Sequence, residues 1–209
     1  MTKCHRIYLM SKKRLLAIIV WFAALATTGA IADVTHTPLD VANPGAATQR
    51  DAEEAVTRRL LDQFRTIKIP LSQAVTIAEH IHDGSRTADI SLDISGPPVY
   101  RVRTVKDERV WENVIDANTG TVTEKEISSS LRELDREYLG NIIALKSVEL
   151  ELSDAVRIAE KAAAGSALAG GLMKHDGKLN FVVVIASGDR LKEVMLEPPR
   201  VDRQGANRH

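Results

Sequence analysis

From Asp89 to Ser95 the chain alternates strictly. Ile90, Leu92 and Ile94 fall on one side of an extended strand, and Asp89, Ser91 and Asp93 on the other. A period of two marks a strand with one face buried. Just upstream the period changes. In "LSQAVTIAE", from Leu71, and on to Ile81, Ala74, Val75, Ile77, Ala78 and Ile81 return every three or four residues, the spacing of a helix that buries one face. Ser72 reads as its N-cap and Gly84 as its stop. Downstream, "SGPP" turns the chain, "VYRVRTV" is a second strand, "KDE" a turn and "RVWENVI" a third strand. The closing "VIDANTGTV" reads as a turn: Asn and Gly tolerate positive φ, and Asp can accept backbone amides two residues on. A ligand role for this loop in addition stays open.

The same series returns 81 residues later, where "LSDAVRIAE" begins at Leu152. At that shift Gly84-Ser85 falls on Gly165-Ser166, Gly96 on Gly177, Tyr100 on Phe181, Val102 on Val183, Arg109 on Arg190 and Glu112 on Glu193, without a gap. About 14 of about 50 positions between Ile67 and Asp116 are identical, against roughly 3 for unrelated sequence, which indicates duplication. Ser153 caps the second helix, which ends near Gly165. "HDGK" carries an Asp-Gly hairpin signal, and "LNFVVVIA" and "RLKEVML" follow as strands. A further amphipathic helix precedes each copy. One has Val56, Leu60, Phe64 and Ile67 on its stripe. The other has Leu131, Leu134, Tyr138, Ile142 and Leu145, and starts from a capping box at Ser130 and Glu133. The fold class expected is therefore α+β: two tandem helix-on-antiparallel-sheet repeats, at 48–127 and 128–201, each with its leading helix. Ala74, Ile77, Ala78, Leu92, Val102, Ala155, Ile158, Ala159, Val183 and Ile185 should lie largely inside.

The N-terminus changes the charge count. Lys12, Lys13 and Arg14 precede the apolar "LLAIIVWFAAL", and "AIA" follows with small residues at Ala30 and Ala32. This is a secretory signal over 1–32, with cleavage expected between Ala32 and Asp33 and export to the periplasm. The apolar run is shorter than the ~20 residues that span a bilayer, so no membrane association is expected after cleavage. Removing Lys3, Arg6, Lys12, Lys13 and Arg14 from the 28 basic residues leaves 23 against 28 acidic ones, a net −5. A mildly acidic chain argues against nucleic acid as partner. The single cysteine, Cys4, leaves with the signal, and with it any disulfide, thiol nucleophile or thiolate metal site. Residues 33–47 read as a flexible lead and 202–209 as a disordered tail.

The capped helix "IPLSQAVTIAE", the short sheet and the closing "VIDANTGTV" resemble a PepSY domain, over about Ile67 to Glu124. That family's ending runs apolar, apolar, Asp, Ala, x, Thr, Gly, x, apolar. The second copy, about Val148 to Val201, is similar in helix and strands but has "MLEPPRV" at the end. The resemblance implies a helix packed on an antiparallel sheet in an extracytoplasmic, non-enzymatic module. PepSY segments occur in propeptides of secreted metallopeptidases, which implies a peptidase-inhibitory role. Signal-bearing tandem PepSY proteins are also linked to metal ions, lanthanides included.

No catalytic set stands out. "HExxH", "GxSxG" and a glycine-rich phosphate loop are all absent from the sequence, and His80 and His82 do not share a helix face. What recurs is carboxylate. Glu108, Glu112 and Asp116 map on Asp189, Glu193 and Glu197, spaced by four and hence on one face of a strand. Oxygen-only clusters suit hard cations. The reading favoured by the sequence is a non-enzymatic periplasmic protein that binds a metal ion, a lanthanide(III) or Ca2+. Its ligands would be Asp89, Asp93, Glu112, Asp116 and Asn118 in the first copy, and Glu193 and Glu197 in the second. The alternative is a propeptide-like, inhibitory or chaperone-like module whose partner is a secreted peptidase or another periplasmic protein. A solvated face with Arg109, Arg190 and Lys192 interleaved accounts for the same charges without a ligand.

Overall fold

The computed structural model describes residues 6–10, 44–175 and 177–199, with side chains from residue 54 onward. The expected cleavage site, the lead up to residue 43 and the tail 202–209 lie outside the described residues.

Each copy is built as its periodicity predicts. In the first, helix α2 (Leu71–Ile81) is followed by strands β2 (Arg86–Asp93), β3 (Val99–Lys106) and β4 (Arg109–Asp116). In the second, α4 (Leu152–Ala163) is followed by β6 (Ser166–His175), β7 (Lys178–Ser187) and β8 (Arg190–Glu197). Helix α1 (Pro44–Phe64) leads the first copy. Strand β5 (Ile127–Ser130), a 3-10 turn (Leu131–Glu133) and α3 (Arg136–Leu145) lead into the second.

The two copies are not two separate helix-on-sheet units. Their hairpins fuse into one antiparallel sheet of order β8-β7-β6-β2-β3-β4-β5, and β1 (Arg6–Met10) adds a strand outside β8. The join is β2 against β6, where Ile90 pairs with Gly170 and Ser91 with Ala169. Gly170 lets α4 close over this seam; a Cβ there would stand 3.2 Å from Leu152 Cδ1. Helices α2 and α4 pack beside one another, so a single core holds Ala74, Val75 and Ala78 together with Ala155, Val156 and Ala159. Strand alternation gives this core Tyr100, Phe181, Val183, Ile185, Val194 and Leu196. Ile77, Leu92 and Ile158 are only half buried at its margin.

The opposite face differs between the copies. Behind β6 and β7, Leu168 and Val184 are covered by Leu60 and Phe64 of α1. The stripe predicted for α1 is rotated: Val56 is exposed and Leu61 is buried.

Three local expectations are corrected. Pro70 and Glu151, not Ser72 and Ser153, hold the N-cap positions of α2 and α4. Pro70 suits the entry because its ring fixes φ where the helix begins, and its carbonyl accepts the first amides, Gln73 N and Ala74 N. The capping box at Ser130 and Glu133 is present but closes only the 3-10 turn. The α-helix restarts after it with Asp135 as cap, accepting from Tyr138 N at 2.8 Å.

Finally, the 81-residue shift is not gap-free. Both first strands carry a bulge, between Thr87 and Asp89 and between Ala167 and Ala169, so along β2 and β6 the equivalence is 80. The left-handed residue after each helix is accordingly Gly84 in one copy and Ala164 in the other. Gly165 is required for closeness instead: a Cβ there would lie 2.2 Å from Ala186 O.

Candidate functional site

Alternation along β3 and β4 sets Tyr100, Val102, Asn113 and Ile115 beneath α2 and turns Arg101, Arg103, Glu112 and Asp116 to the other face. The predicted carboxylates of the first copy do gather there. Asp89, Asp93 and Glu112 are paired there with arginines. β3 is the middle strand, and its two guanidinium groups stand between the acids of β2 and those of β4. Arg103 Nε donates to Asp89 at 2.8 Å, and Tyr138 Oη from α3 donates to the other carboxylate oxygen at 2.5 Å. Arg103 also stacks on the Tyr138 ring, 4.4 Å from its centroid. Burial opposes the Arg103 charge, but Asp89, Tyr138 and Glu112 together outweigh it and hold the guanidinium above its ordinary pKa; burial, with Asp89 adding, pushes the Tyr138 hydroxyl well up. Arg101 spans the next rung, with Nε 3.1 Å from Asp93 and Nη1 3.7 Å from Glu112.

The remaining acids are each engaged locally. Asp93 accepts from Ser95 Oγ at 2.6 Å and Ser95 N at 2.9 Å, and the Ser95 side chain leads the causes that hold its pKa below 3.8. Asp116 accepts the amides of Asn118 and Thr119 at 2.8 and 2.7 Å, which lowers its pKa in the same direction. Gly120, at φ +75°, closes this turn by donating to Asp116 O. The "DANTG" segment is thus an Asx-type turn that ends β4. In the second copy Glu197 pairs with Lys178 at 2.9 Å, and Glu193 is buried in β8.

This geometry bears on the cation reading. A shared ion at ~2.3–2.6 Å from each ligand needs oxygens within ~5–6 Å of one another. β2 and β4 stand two strand spacings apart, roughly 9–10 Å. Among the described residues no three His, Cys, Asp or Glu side chains are placed to hold a metal ion.

Sequence reasoning missed three features. Glu79 and Glu160, the last letters of the repeated "LSxAVxIAE", reach from their helices to the bulges. Each accepts a bulge amide at 2.9 Å, from Thr87 N and Ala167 N. The signal was the repeated glutamate itself. Tyr100, buried under α2, donates to Ile69 O at 2.8 Å; burial, with the Glu160 charge adding, pushes its pKa up to about 12. An open cleft at the β3–β4 turn holds the third. There the His82 ring stacks on Trp111 at 4.1 Å between centroids, and His82 Nε2 lies 2.6 Å from Glu126. His80 instead bonds its own helix at Thr76 O.

Residues 68–126 match the PepSY family, described as "Peptidase propeptide and YPEB domain". No curated protein matches the chain. A crystal structure of a protein named as a lipoprotein, from Clostridium difficile 630, is 22% identical over 64% of this chain and 95% of that one, with a TM-score of 0.36. That superposition is too loose to lend the chain any property.

Proposed function

Given that residues 68–126 form a PepSY domain, we propose that the protein is a non-enzymatic, propeptide-like binding module that restrains or chaperones a secreted peptidase. The match to a peptidase propeptide domain carries this reading. PepSY domains are propeptide-like and inhibitor-like modules rather than catalysts, and they work outside the cytoplasm. Among the described residues no helix is long and apolar enough to cross a membrane. The periplasm is the compartment that fits the predicted signal, and cleavage before Asp33 would release the module there. Asp89, Asp93, Glu112 and Glu197, first assigned to a cation, are engaged by Arg101, Arg103 and Lys178, which favours a protein partner over a metal ion.

The test is proteolysis by the culture medium of the source organism, followed on casein with and without the chain that begins at Asp33. A dose-dependent fall in rate that saturates is expected. An unchanged rate at molar excess removes the inhibitory reading. Saturable terbium luminescence on the same protein would put the cation reading back in front.

A further inference from the structure

We propose that the outer edge of β8 is the docking strand, onto which an extended segment of the protein partner adds antiparallel. It rests on the protein-binding function proposed above. The observation is a difference between equivalent edges. On β4 the chain closes its own edge. β5 pairs with Arg109–Glu112, and beyond it Thr123 N donates to Val114 O, Asp116 N donates to Thr121 O, and Val122 bridges to Ile115. On β8 the segment that could fold back is replaced by Pro198-Pro199, which has no amide donors.

The β8 edge is covered instead by Arg6–Met10, in register from Arg6 opposite Glu197 to Met10 opposite Glu193. Those five residues belong to the segment expected to be cleaved. A chain beginning at Asp33 keeps β8 and loses its cover. The bare edge is eight residues long and holds buried Val194, Met195 and Leu196, without the shortness and serines that blunt β5. The present occupant gives the chemistry of the next one: an extended, apolar stretch with a basic residue in register with Glu197. A second copy of this chain fits less well, because β8 paired with itself about Met195 sets Glu193 against Glu197, like charge on like. Strand addition takes its affinity from main-chain hydrogen bonds and its selectivity from alternate side chains.

The experiment uses a fluorescent peptide carrying Arg6–Met10, titrated by anisotropy into the full chain and into the chain from Asp33, with circular dichroism to confirm that both are folded. Saturable binding is expected for the shorter chain. The full chain should bind at least about ten-fold more weakly, since its tethered strand competes at high effective concentration. Methylating alternate peptide amides should abolish binding in one phase and spare it in the other. E197R should weaken the arginine peptide and favour one with glutamate in its place. Equal binding to both chains, or loss in both methylation phases, overturns the proposal, as does a chain from Asp33 that elutes as a dimer and ignores the peptide. Inhibited proteolysis without peptide binding would overturn this edge alone. Peptide binding without inhibition would keep the edge and discard the peptidase.

Discussion

β3 and β7 are the same strand in two copies, and they face different surroundings on the side away from α2 and α4. β3 presents Arg101 and Arg103; the equivalent positions of β7 are Val182 and Val184. The arginines bind the acids of β2 and β4, whereas Val184 lies under Leu60 and Phe64 of α1. One duplicated scaffold therefore carries an ion-pair ladder at one end and an apolar bed at the other. The inward face, which makes the fold, was kept alike. The outward face was free to diverge, because each strand sends alternate residues to opposite sides.

The largest test of that comparison is at the glycines after the helices. Gly165→Ala drives a methyl into the Ala186 carbonyl and should cost about 3 kcal/mol, as overpacking does. Gly84→Ala at φ +75° meets only the Lys106 side chain at ordinary contact distance and should cost about 1 kcal/mol of left-handed strain. Urea midpoints read both, and a single transition is expected because the two copies share one core. Two separate transitions would break the one-sheet description.

The ladder comes next. Arg103→Val strands a buried Asp89 with Tyr138 as its remaining donor. The expected cost is about 2 kcal/mol, below the usual figure for a broken buried pair because the arginine is 28% exposed. Adding Asp89→Ala installs the residues the other copy uses, Ala169 and Val184, and should recover part of the loss. No recovery would mean that the two ends are not interchangeable.

Glu79→Ala should cost about 2 kcal/mol and Glu160→Ala about 1, since Glu79 also accepts from Thr87 Oγ1. Equal losses would show that the amide alone matters.

The smallest effect is on pH. Asp93 and Asp116 have depressed values in the folded chain, so their stabilisation is present above the ordinary 3.8 and is lost as pH falls through the lower folded values. Stability should decline as pH falls below the ordinary carboxylate value, and Asp93→Asn with Asp116→Asn should flatten that slope. An unaltered slope would discard these two turns as its source.

The helices, the three strands of the first copy, β7 and β8 of the second and the family were legible because period, turn residues and an internal repeat agreed. Alternation put Asp89 with Asp93 on one face of their strand and Glu112 with Asp116 on one face of theirs, but left open whether the two sets share a side of the sheet. What stayed hidden was who stands between them. Strand order decides that, and the sequence does not state it: the interleaved charges expected there were Arg109, Arg190 and Lys192, whereas Arg101 and Arg103 hold the acids because β3 is the central strand of its copy. The join of β2 to β6 was hidden for a similar reason. "ADISLDIS" alternates as a strand with one buried face, which does not say which strand lies beside it, and Gly170-Gly171 leave the partner strand little pattern to read. The one-residue slip was masked because Gly84-Ser85 and Gly165-Ser166 align in letters while differing in role.

The seam itself has a consequence. Along β2 and β6 the 80-residue equivalence makes Gly170 the counterpart of Ile90 and Ala169 the counterpart of Asp89. Each copy thus meets the other across the seam through the same residue, as identical subunits do about a two-fold axis. A lone copy would leave β2 as an open margin, and its partnering would fade on dilution. Tethered by residues 117–151, the same contact forms at any concentration. The chain is in effect a dimer that cannot dissociate, and its halves are free to specialise without losing one another.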